Sequence, residues 1–217
     1  GDMAQLDAPI DFLTAYGCDV RTAGRDALTE RPALVWLVSA AGVSAAEWLR
    51  SEYDVPVVRS LPLGDAGRTA WRAEIAAALG LSPEDAGAEQ AAGDVRADKI
   101  LIIADPIAAA GIDRLLGTCG FRNIRCAAYA WDEETAGLYR QAAAGADVLI
   151  FRRAVELQPA WNAADAVIAD PALLPAMGEK CLVPLPSGLL SGRDAAGEGS
   201  GVLGTDFAAV LGVFLKG

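Results

Sequence analysis

Histidine is absent from the 217 residues. That excludes Ser-His-Asp and Cys-His catalysis, imidazole ligation of metals, and the side chain that ordinarily shuttles protons near neutral pH. Cysteine is scarce: Cys18, Cys119, Cys126 and Cys181 stand far apart, with no C-x-x-C pair and no zinc or ferredoxin spacing. A metal cluster held wholly by this chain is therefore not expected, nor is a disulfide framework. Each cysteine lies in or beside an apolar stretch and reads as a small buried hydrophobe in a reducing compartment. No apolar run reaches bilayer length, since the longest, 33–46, is interrupted by Ser39, Gly42 and Ser44. The amino terminus lacks the basic region, apolar core and cleavage site of a secretion signal, so a soluble cytoplasmic chain is expected. Basic residues are outnumbered 18 to 29, and the net charge of −11 repels phosphate backbones and anionic lipid. Neither nucleic acid nor a membrane is an expected partner.

What is present is apolar: 53% of residues are hydrophobic and 22% charged, enough to bury a sizeable core. Short Val- and Ile-rich runs alternate with Ala- and Leu-rich segments of helical period, the pattern of parallel strands covered on both faces by helices. The fold class expected is α/β, with Rossmann-like parallel sheets flanked by helices. Strands are placed near 34–39, 55–60, 99–104, 123–130, 147–151, 165–169 and 180–184, with a weaker one near 18–22. An opening helix over 9–16 ends at Gly17. Ser44-Ala-Ala-Glu47 has the form of a capping box starting a helix that runs to Tyr53. A helix from about Asp65 carries Trp71, Ile75 and Leu79 on one face, a core stripe, and ends at Gly80. Residues 82–98 lack apolar periodicity and read as a linker. The expected organisation is the carboxyl-terminal part of one α/β domain over 1–81 and a complete one over 99–217. Gly1-Asp2-Met3 is not how translation begins, so the chain is expected to be a piece of a longer protein.

One tetrapeptide occurs twice, Ile103-Ala-Asp105-Pro106 and Ile168-Ala-Asp170-Pro171. In each a strand ends, an aspartate can cap the coming helix, and proline takes the first helical position, where no N–H is missed. Both aspartates should lie at the carboxyl edge of one sheet, where open α/β sheets bind ligands; capping and ligand contact are both open to them. Arg152, directly after an apolar strand, can clamp a carboxylate or phosphate or form a surface ion pair. Trp131 is a pocket wall or a packed edge. Glu133 and Glu134 read as solvated residues of a helix start. Gly199-Ser-Gly201-Val-Leu-Gly204, with a helix expected over 205–215, has the spelling of a dinucleotide fingerprint. It lacks the preceding strand and the acidic residue about twenty positions later, so it reads as a glycine-rich loop. No Walker motif is present.

The order of these parts resembles nitrogenase component 1-type proteins. The strand and helix of 34–53 are followed by Asp54-Val-Pro56-Val57, by Leu61-Pro-Leu63-Gly64, and by an Ala-rich helix closing on Leu79-Gly80. Lys99-Ile-Leu-Ile-Ile-Ala-Asp105-Pro106, Asp165-Ala-Val-Ile-Ala-Asp170 and Val183-Pro-Leu-Pro186 continue the series. The resemblance implies the carboxyl-terminal part of an oxidoreductase subunit that forms one wall of an interdomain ligand or metallocofactor crevice and is inactive alone. It implies as partners an upstream domain or second nitrogenase-like subunit and an electron-donating reductase. An iron-sulfur cluster or metallocofactor would belong to the full-length protein or complex and not to this chain by itself. The contact residues it implies are Asp105, Trp131, Arg152, Asp170 and Ser187. Two features depart from the family's catalytic subunit: no thiol occurs in Val35-Trp-Leu-Val-Ser39, and there is no histidine ligand. Ala104 also stands where the family has glycine. These departures favour cofactor-assembly or tetrapyrrole-reductase relatives, or, as a different class, a non-catalytic small-molecule or protein-binding module that kept the fold.

Overall fold

A computed structural model describes residues 7–22, 26, 28–81, 95–169 and 181–185. Helix α1 (Asp7–Ala15) ends at Gly17, whose φ of 80° is the left-handed value that suits glycine. Residues 18–22 form no strand. Two short parallel strands follow, β1 (Val35–Trp36) and β2 (Val57–Val58), joined by a 3-10 turn (Ala40–Gly42) and α2 (Val43–Tyr53). Helix α3 (Gly64–Ala78) completes this part. Trp71 and Ile75 are buried as the stripe predicts, and Leu79 packs against them with Leu13, Val58 and Trp36.

The capping box at Ser44 does not form. The chain enters α2 through the 3-10 turn, with Ser39 capping that turn and Gly42 standing before the helix. Ser44 is thereby already helical. Glu47, released from a capping role, pairs with Arg50 and Arg59.

The second sheet has five parallel strands: β3 (Arg96–Ile103), β4 (Phe121–Tyr129), β5 (Val148–Phe151), β6 (Ala166–Ala169) and β7 (Cys181–Pro184). Their spatial order is β5-β4-β3-β6-β7. Strand β3 begins within the segment expected to be linker, because Arg96 already pairs with Phe121. The connections run through α4 (Pro106–Thr118), α5 (Glu133–Ala143) and α6 (Ala154–Ala163). The α/β fold with parallel sheets flanked by helices is as the sequence pattern implies.

The strand sequence Ile100-Leu-Ile-Ile-Ala104 shows why both faces are apolar. Ile100, Ile102 and Ala104 join Ile107, Ala108, Ile112 and Leu116 of α4 on one side. Leu101 and Ile103 join Leu157, Ala160 and Trp161 of α6 on the other. The first core also takes in Leu37, Ala40, Val43, Ala46, Leu61 and Leu63, so one apolar cluster spans residues on either side of 82–94. Close approach there depends on Gly111, where a Cβ would come within 2.8 Å of a Leu63 methyl. No helix among the described residues is long and apolar enough to cross a membrane. The glycine-rich loop 199–204 and the helix expected over 205–215 lie outside the described residues.

Candidate functional site at the carboxyl edge of the sheet

The strand order reverses between β3 and β6: α4 and α5 carry the chain from β3 outward through β4 to β5, and α6 returns it to the far side of β3. Parallel sheets bind ligands outside the carboxyl ends of strands at such a reversal. Ile102 is opposite Ile168 and Ile103 opposite Ala169, so the repeated tetrapeptides end neighbouring strands, offset by one position. Asp170 and Ser187 lie outside the described residues.

Asp105 is buried, and each of its carboxylate oxygens is engaged. Oδ1 accepts the Ile107 N–H at 2.9 Å, the capping bond foreseen from the sequence. Oδ2 accepts the Ala40 N–H at 2.8 Å and the Ser39 hydroxyl at 3.1 Å. The side chain therefore ties the start of α4 to the 3-10 turn after β1. Burial raises its pKa above the ordinary carboxylate value, against the opposing pull of these donors. Capping is thus one half of its role, and the other is a tie to Ser39 and Ala40 that the sequence did not reveal.

Trp131 and Arg152 lie at the ends of the adjacent strands β4 and β5. Trp131 is 67% exposed, an unusual state for tryptophan, and Tyr129 beside it is half-exposed and packs on Phe151. Arg152 Nη1 donates to Glu133 at 3.0 Å, while Arg140 donates to the other oxygen of Glu133 at 3.0 Å. Arg140, with Arg152 adding to it, holds the Glu133 carboxyl below its usual range. Asp132 caps α5 by accepting the Thr135 N–H at 2.7 Å, which lowers its pKa in turn. The ion pair foreseen for Arg152 is present, and it is solvent-facing and hence weak and exchangeable.

No three His, Cys, Asp or Glu side chains among the described residues converge as a metal site. Cysteine departs from the uniform burial expected: Cys119 is exposed, Cys18 is half-buried, and Cys126 is buried. The Cys126 thiol contacts the Ala109 carbonyl at 3.7 Å, and burial pushes its pKa up to about 12. A thiol so held stays protonated at neutral pH and is a poor metal ligand. Iodoacetamide at pH 8 should accordingly label Cys119 rapidly in the folded protein and Cys126 only after denaturation. Peptide mass spectrometry checks this, and equal labelling rates would contradict the buried placement.

Comparison with known proteins finds no family model that matches the chain and no similar curated protein.

Proposed function

We propose that this chain is the carboxyl-terminal part of a nitrogenase component 1-like oxidoreductase subunit, cytoplasmic, and that it supplies one wall of an interdomain ligand or metallocofactor crevice. The observation that carries this reading is the strand reversal at β3 and β6, together with an exposed tryptophan and an exchangeable arginine on the same carboxyl edge. The order of strand, helix, strand and helix that underlies the family resemblance supports it as well. In this reading Trp131 presents an apolar face to the ligand. Arg152 swings from Glu133 to a ligand carboxylate or phosphate. Asp105 positions the wall through Ser39 and Ala40. Electron chemistry is supplied by the upstream domain, a second subunit and a reductase, and the isolated chain is inactive.

The test uses the full-length protein or its complex. Trp131→Ala and Arg152→Gln should each lower turnover at least several-fold while leaving iron content and visible absorption unchanged. Unaltered turnover in both variants, or a parent protein without iron, would remove the redox reading. A second reading, a non-catalytic binding module, is favoured by the full occupation of Asp105 and the protonated state of the Cys126 thiol. Saturable thermal stabilisation by a tetrapyrrole, an organic acid or a nucleotide, without turnover in the complex, would select it.

A further inference from the structure

A second concavity lies between β2, α3, α4 and the end of α5, and its lining begins at Pro106 and Ile107, next to Asp105. Its volume is about 200 Å³, and its lining includes Arg59, Ser60, Glu74, Gly111 and Arg114. At about 30 Å³ per water, that is room for roughly six or seven water-sized groups. We propose that this cavity binds a small aliphatic carboxylate of two to four carbons, with Arg114 as its main cationic contact.

The argument begins with unused donors. Arg114 contacts Glu74 only at 3.8 Å, the longest of the ion pairs among the described residues, and makes no closer hydrogen bond there. Glu74 is turned to Ser60, whose hydroxyl donates to it at 2.6 Å. Arg59 donates through Nη2 to Glu47 at 2.8 Å, which leaves its buried Nε without a hydrogen-bond partner among the described residues. Arg59, with a buried Nε unpartnered among the described residues, and Arg114, 44% exposed and loosely paired, thus line one cavity in a chain of net charge −11. A buried donor without an acceptor is costly, and a fork of N–H groups matches a planar carboxylate. The remaining walls limit size. Ile107, Ala110, Gly111 and Arg114 run down one face of α4 at spacings of three and four, so the small Ala110 and Gly111 form the floor between Ile107 and the arginine. The Ala142–Ala144 end of α5 faces that floor across a volume of about 200 Å³.

The test is titration of the intact, isotope-labelled chain with sodium malonate at fixed ionic strength, read by amide chemical shifts. Saturable shifts at Ala110, Gly111 and Ala142–Ala144 are expected, with affinity at least tenfold weaker in Arg114→Gln. That exposed substitution leaves the Arg59–Glu47 pair in place. Shifts that fail to saturate, or that persist equally in Arg114→Gln, would overturn the proposal. Tighter binding of inorganic phosphate than of malonate would overturn the carboxylate assignment.

Discussion

Replacing Asp105 with alanine should lower the unfolding free energy by about 3–5 kcal/mol, the sum of a lost helix cap, a buried Ala40 N–H and a half-buried Ser39 hydroxyl left without their acceptor. Ala40 N–H, Ile107 N–H and the Ser39 hydroxyl all lose their partner at once. Asp105→Asn should recover only part of the loss, because the new amide turns N–H groups toward one of those donors. The pH dependence has a definite sign. Burial raises this carboxyl above its ordinary value of 3.8, so the folded chain holds the proton more tightly than the unfolded chain does. Its contribution to stability is therefore fullest below that value and is lost as pH rises through the raised folded value. The advantage of the native protein over Asp105→Asn in urea unfolding should shrink with rising pH across this window and then level off. An advantage that grows with pH would mean that the three donors outweigh burial.

Trp71→Ala should cost about 3–5 kcal/mol, the range for deleting a buried tryptophan. The indole lies at the centre of the small core of the first segment, with ring centroids 5.5 Å from Phe12 and 5.1 Å from Trp36. It joins α1, the β1–β2 pair and α3, so its loss undocks three elements together. Trp71→Phe should be far milder. The Trp71 indole N–H is buried without a partner among the described residues, and phenylalanine removes that donor while keeping a ring. Trp36 differs, since its N–H donates to the Ser60 carbonyl at 3.0 Å, and Trp36→Phe should show no such relief. Equal destabilisation by Ala and Phe at position 71, measured by denaturant unfolding, would refute this account.

The large sheet was legible in sequence because the later halves of β3 and β4 and the whole of β6 are buried on both faces, a demand met by runs of Val, Ile, Leu and Ala, whereas β3 and β4 begin with charged and exposed residues. Strands β3 to β7 accordingly fall where those runs occur. Strands β1 and β2 are shorter than their apolar runs because only two residues of each pair. The Ser44 box failed for a local reason: the pattern Ser-x-x-Glu is neutral about where a helix begins, and a 3-10 turn moved that point upstream. At the candidate site, the cap at Asp105 and the ion pair of Arg152 could be foreseen because their causes lie within a strand–helix junction or a charge pattern. The tie from Asp105 to Ser39 and the shared place of Arg59 and Arg114 in the lining of one concavity could not. Both arise from packing of the first segment against α4, and no periodicity or spacing encodes which residues meet across such a distance.

The central place of β3 bears on how the chain acquires its structure. One flank of β3 is completed by its near neighbour β4, but the other waits for β6: Lys99 N–H donates to Asp165, 66 residues further on, and the Ser39–Asp105 bond spans the same separation. During ribosomal synthesis, a strand rich in isoleucine must remain half-covered until those later residues emerge. Closing such long loops before their contacts are rewarded slows folding, and the unsealed flank is the place where nascent chains would adhere to one another.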